Sequence, residues 1–195
     1  TPIRSSAASD VYKRQMRNIT AILGILLTMF VFTQSLAVAQ TDKVKFDKQT
    51  YNLESADKKN NEYNYYLKGE TPENWHSKIT LTNFPDLTNA TEAAAELAHK
   101  IQEENHGASV LVYPDAAMIG LISFPASKDY YEYNTILFQP AKTKGLDKFK
   151  YAKRFYSSEN NGQEGARKAA IEFAEKNNTK YMEMVSKEAP KYKVD

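Results

Sequence analysis

Between Ala108 and Tyr156 the chain offers four strand-like segments separated only by short polar breaks, and this spacing restricts the fold more than any other feature. The segments are Ala108–Tyr113, Ala117–Phe124, Tyr130–Phe138 and Asp147–Tyr156, and the breaks hold Pro114-Asp115, Pro125 through Asp129, and Pro140 through Gly145. A parallel connection needs a crossover of about a dozen residues or more, so breaks this short turn the chain straight back. An antiparallel meander is predicted. Within it MIGLISF is a continuous apolar run, the pattern of a strand covered on both faces.

The flanking sequence supplies the rest. Tyr51 and Leu53 alternate before SADKKNN, and Tyr63, Tyr65 and Leu67 alternate after it, which predicts a β-hairpin. Thr41–Lys48 reads as a polar lead-in. TPENWH is an irregular connection carrying the single Trp, and Lys78–Thr82 (KITLT) reads as one more strand. A helix follows, with Asn89 and Glu92 spaced as a capping box and Ala90, Ala93, Ala94, Leu97 and Ile101 on one stripe. A C-terminal helix begins with Asn161 and Glu164 in the same arrangement. Its stripe runs through Ala166, Ala170, Phe173 and Tyr181, and Asn177-Asn178 is the place where it would break. The expected fold class is α+β: an antiparallel sheet of about six to seven strands with two main helices packed on it, in the order ββ-β-α-ββββ-α. This order resembles the PsbP-like α+β fold, a family of small exported accessory proteins. The resemblance lies in element order across most of the chain after residue 40, and it assigns no site residues.

Upstream of residue 40 the chain divides again. Thr1–Gln15 resembles a translated metagenomic adapter scar and is expected to be a non-native extension. Met16 then opens a secretory pattern: Arg17, the apolar core Ala21–Phe32, and small residues at Ala37-Val38-Ala39. Residues 16–39 are therefore expected to be a signal peptide, leaving 40–195 as one periplasmic or secreted domain with no membrane span after cleavage. The chain holds 26 basic and 24 acidic residues. Arg4, Lys13, Arg14 and Arg17 against Asp10 fall before residue 40, so the remainder carries one acid in excess. Nucleic acid is not an expected partner, because the basic balance belongs to the leader. The chain has no cysteine, which excludes disulfides and thiolate chemistry.

Candidate sites are few. His99, Glu103 and His106 would share one helical face, but that face lies opposite the apolar stripe, so no metal and no cofactor is expected. Trp75 and His76 with Tyr63, Tyr65 and Tyr66 form a candidate ligand shelf; a core anchor is the plainer role for the Trp. Lys148, Lys150 and Arg154 alternate with Phe149, Tyr151 and Phe155, which gives a candidate basic docking face; the plainer reading is an edge strand guarded by Lys. Replacing those three by Ser is then expected to leave the fold nearly unchanged. HExxH, GxSxG, Walker-A and GxGxxG motifs are all missing after residue 40. The expectation is a non-catalytic accessory or binding protein of the bacterial envelope, its partner an envelope protein or an anionic ligand. The alternative is a small envelope hydrolase with a carboxylate or His–carboxylate site in a deep pocket.

Overall fold

The chain divides into two units, Thr1–Ala37 and Val38–Asp195. The computed structural model describes residues 41–104, 108–124 and 129–194, all within the second unit. The extension, the signal peptide with its cleavage site, and His106 lie outside the described residues.

Eight strands form one antiparallel sheet: β1 (Lys43–Phe46), β2 (Gln49–Asp57), β3 (Glu62–Leu67), β4 (Ser77–Phe84), β5 (Ser109–Val112), β6 (Ala117–Ser123), β7 (Tyr130–Pro140) and β8 (Leu146–Tyr156). Helix α1 (Ala90–Glu104) lies between β4 and β5, and α2 (Gln163–Glu188) follows β8. The strand order is β1-β2-β3-β4-β8-β7-β6-β5. Two four-stranded meanders are thus joined where β4 pairs with β8. Helix α1 carries the chain from the middle of the sheet to its far edge, and the second meander brings it back.

The strand missed in the sequence is β1. Its Lys43 and Lys45 face solvent and suggest a lead-in, yet Val44 and Phe46 are buried. Asp47 and Lys48 both take positive φ, the two-residue turn whose twist suits an antiparallel hairpin. The sheet then curls, so that the Phe46 ring lies 4.9 Å from Tyr151 and 6.1 Å from Tyr181.

One sheet face packs under α2. Its core includes Phe46, Tyr51, Tyr65, Ile79, Leu81, Tyr133, Phe149 and Tyr151 against Tyr181, Met182 and Val185. The buried tyrosines keep their hydroxyls bonded: Tyr51 to Ser77 at 3.0 Å, Tyr133 to Asn178 at 3.0 Å, and Tyr181 to Asp47 at 2.6 Å. Gly120 of β6 allows this close approach, because a Cβ there would stand 2.1 Å from Asn178 Oδ1. Asn178 therefore anchors α2 and does not break it; the helix is continuous through both asparagines. Its N-terminus also differs from expectation. Gly162, at φ 90°, occupies the cap position, and Asn161 is itself left-handed, so neither offers a side-chain cap.

On the opposite face α1 covers Ala117, Ile119, Leu121, Ile136, Phe138 and Leu146. The N-cap half of the expected capping box forms: Glu92 N–H donates to Asn89 Oδ1 at 3.1 Å, while the Glu92 carboxylate accepts from the Asn89 side-chain amide at 2.9 Å in place of its backbone N–H. Ala94 and Ala98 are fully buried, and their small side chains let the helix lie close to the strands.

A candidate cationic binding face

The part of that face not reached by α1 is polar. Strand register fixes its layout: Glu62, Thr82 and Lys148 stand side by side, then Asn64, Thr80 and Lys150, then Tyr66, Lys78 and Ala152. Strand β7 continues these rows with Asn134 opposite Ala152 and Glu132 opposite Arg154. Four cations, Lys78, Lys148, Lys150 and Arg154, therefore share a face with two carboxylates, Glu62 and Glu132. The basic face expected on one strand spans four.

Its cations are not equivalent. Glu132, with only 10% of its side chain exposed, lies 3.1 Å from Lys150 Nζ and 3.3 Å from Arg154 Nε. The Arg154 guanidinium is also sandwiched, its carbon 3.6 Å from the Trp75 ring centre and 4.0 Å from that of Tyr130. Lys148 stands 4.0 Å from Glu62, whose other oxygen accepts from Asn64. Lys78 forms no ion pair among the described residues, and its Nζ sits 4.8 Å over the Trp75 ring. Desolvation, reinforced by the charge of Lys150, pulls the Lys78 amine down to about 8. Burial lowers Lys148 as well.

Two readings of these residues need correcting. β8 is not an edge strand, since it sits between β4 and β7; the edges are β1 and β5. Lysine protection belongs instead to Lys43 and Lys45 on β1. Nor are Lys148, Lys150 and Arg154 freely exposed, and a triple Ser change would strip Glu132 of both its partners.

The aromatic shelf does not assemble. Tyr63 and Tyr65 pair with Leu81 and Ile79 on the α2 face, whereas Tyr66 points to the other side. Trp75 is 1% exposed and packs with Tyr66 and Ala152, with the Arg154 guanidinium over one ring face. These rings are core, as strand alternation and their size dictate.

His76 ends in a clamp. Its Nδ1 lies 3.2 Å from Glu70 and its Nε2 2.9 Å from Glu159, with the Tyr156 ring edge-on at 5.4 Å. The hydrogen bond to Glu159 does most to raise its pKa; desolvation acts against this, and Glu70 adds to the rise. A histidine held at both nitrogens has no free lone pair with which to take a proton from a nucleophile. The clamp ties the β3–β4 connection to the turn after β8. Elsewhere His99 and Glu103 lie 3.4 Å apart on the solvent side of α1. No group of three or more His, Asp or Glu among the described residues could hold a metal.

Lys78 and Glu132 escaped sequence reading because the β4–β8 and β7–β8 pairings decide their role. A signal was present, however. KITLT and, from Lys148 to Tyr151, KFKY both alternate an apolar face with a cationic or hydroxyl face, which is what neighbouring strands sharing one polar surface show.

A protein-family model matches residues 38–189. The chain belongs to that family. The match brings no activity with it, and no curated protein and no solved structure matches the chain. The function must therefore be argued from the face itself. Among the described residues, no helix is long and apolar enough to cross a membrane.

Proposed function

We propose that this chain is an exported, non-catalytic accessory protein of the bacterial envelope that binds an anionic ligand or partner through the β3–β4–β8–β7 face. The observation that carries the reading is the excess of cations there: Lys78, Lys148, Lys150 and Arg154 face only Glu62 and Glu132. Placing charge at the centre of an eight-stranded sheet costs desolvation energy that folding alone does not require. The leader pattern at residues 16–39 supports export. Resemblance in element order to small exported accessory proteins supports the class by analogy. The doubly held His76 does not favour the hydrolase reading, because both nitrogens are engaged.

Two measurements test it. Intact-mass analysis of material secreted by cells expressing the chain from Met16 should give a protein beginning at Gln40; retention of residues 16–39 would sink the export half. Hexaglutamate, citrate and inorganic phosphate, titrated at several salt concentrations, should show at least one saturable interaction. That interaction should weaken with salt and with the pair Lys148→Gln and Lys150→Gln. Binding indifferent to both, or no binding by any probe, would refute the site.

A further inference from the structure

The geometry points to Lys78 as the centre of a site for a compact, doubly charged oxyanion of the phosphoryl or sulfuryl type, a ligand class that deepens the proposed function and rests on it. Three observations carry this. The first is charge: on β3, β4, β8 and β7 four cations meet two carboxylates, and with Asp57 of β2 beside Glu62 the face still holds an excess of cations. The second is position. Lys78 and Lys150 stand on adjacent strands one step out of register, a diagonal of roughly 7–8 Å at the backbone. Their long side chains therefore have the reach to converge on one group. Ala152, the register partner of Lys78, is fully buried against Trp75 and Tyr66, so the two ammonium groups stand at the margin of that cluster.

The third is the state of each donor. Lys150 and Arg154 already bond Glu132. Thr80 donates to Asn64 Oδ1 at 2.9 Å, and Thr82 to Glu62 at 3.4 Å. Lys78 alone of the four cations has no carboxylate partner among the described residues. Its ammonium is flanked by Tyr66 of β3 and Trp75 of the connection, with Lys150 and Arg154 of β8, Glu132 of β7 and Glu62 of β3 around it. A group made only of acceptor oxygens completes this arrangement, whereas a donor-bearing ligand meets ammonium groups head-on.

Recession of the cations selects for size. Side-chain exposure is 21% at Lys148 and 26% at Lys150, so a broad anionic surface meets little projecting charge. Nucleic acid would also need free rings for stacking, and Trp75 and Tyr66 are buried.

The test uses the protein purified after expression of the full chain. Sulfate, inorganic phosphate and glucose 6-phosphate are titrated calorimetrically at constant ionic strength, with the Lys78 Nζ resonance followed in parallel. Saturable one-to-one binding is expected, at least tenfold weaker in Lys78→Gln and largely retained in Lys78→Arg. The Nζ resonance should shift on binding and its titration should move to higher pH. Sulfate keeps its double charge across the range, so its affinity should fall as pH rises through about 8, where Lys78 sheds its proton. Stronger binding of phosphate marks a free anion as the ligand, and stronger binding of glucose 6-phosphate an organic ester; both support the site. Absence of one-to-one binding by all three, or affinity unchanged in Lys78→Gln, overturns it. If hexaglutamate still binds in a salt-dependent way, the broader anionic reading survives that failure.

Discussion

Under α2, strand β8 presents Phe149, Tyr151 and Phe155, with Lys153 lying over the Phe173 ring; on its other side the same strand presents Lys148, Lys150, Ala152 and Arg154. The α2 side is built of rings in contact, Tyr151 stacked on Tyr181 at 4.8 Å and Tyr133 edge-on to Phe173 at 5.2 Å. Burial pushes the Tyr51 and Tyr133 hydroxyls up to about 12 and raises those of Tyr151 and Tyr181. These tyrosines stay neutral and serve as hydrogen-bonding core. The other side keeps charge where a ring would be more stabilising. Residues that share a strand thus answer to different demands: ring packing on one face, the placement of paired and unpaired charge on the other.

Phe149→Ala tests the packed face most severely. The ring is 1% exposed and touches Phe46 at 5.9 Å. Its loss should lower unfolding free energy by roughly 3–5 kcal/mol, read from the urea midpoint. Lys148→Gln, one residue away on the opposite face, should change stability by less than about 1 kcal/mol. Similar losses at both positions would erase the contrast between the faces.

Glu132→Gln comes next. It keeps the shape of the side chain but leaves Lys150 and Arg154 without their shared anion. A cost of roughly 2–3 kcal/mol is expected, below that of a fully buried pair because the Lys150 side chain is 26% exposed. The same change raises the cationic excess by one, so anion affinity should increase while stability falls. A variant that lost both would place Glu132 in the scaffold alone.

Lys78→Met should move stability the other way. An apolar chain of similar length removes the desolvated charge, with an expected gain of about 1–2 kcal/mol at neutral pH and loss of anion binding. The pH dependence gives the sign. Folding lowers the Lys78 pKa to about 8, whereas an unfolded lysine titrates near 10.4. Between those values the unfolded state holds the extra proton, so wild-type stability should rise with pH across that window. In Lys78→Met the rise should shrink to the part that Lys148, also lowered by burial, contributes. Urea midpoints at pH 7.5 and 9.5 measure it, and equal slopes in both proteins would show that Lys78 is not desolvated.

The meander, both helices and the alternation of β8 were legible because each depends on local period or on connection length. The Asn89 cap of α1 was legible for the same reason: Asn89 and Glu92 are three residues apart. What stayed hidden depends on long-range pairing. Nothing near Lys43–Phe46 shows that the chain curls until Phe46 meets Tyr151, and exposed lysines mask the strand. Nor does KITLT show that Lys78 will lie beside β8, 74 residues on at its register partner Ala152. The basic stripe was visible, but its neutralisation by Glu132 and its extension through Lys78 were not. A core role for Trp75 was the plainer reading and holds, but a lone Trp in a connection carries no mark of what covers it. Here Tyr66, Ala152 and the Arg154 guanidinium enclose it.

His76 offers the smallest effect, and it tests whether the clamp merely braces the border of the cationic face. Its nitrogens meet Glu159 and Glu70, and among the described residues the titratable group that stacks against its ring is Tyr156, edge-on from β8. Its folded pKa is raised, with the Glu159 hydrogen bond as the largest cause. The stabilisation is therefore fully present below the unfolded value of about 6.5 and is lost as pH rises through the folded value. Because the imidazole is 48% exposed, the contribution should stay below about 1 kcal/mol. Wild type should exceed His76→Gln in urea midpoint at pH 5.5 and converge with it by pH 8.5. Glu159→Gln should reproduce more of that loss than Glu70→Gln, following the order of causes. Glu70 also receives the His76 backbone N–H at 2.9 Å, so its removal should bring a further loss that does not vary with pH. A wild-type advantage of the same size at both pH values would show that the ring braces the connection by packing on Tyr156 and not by charge.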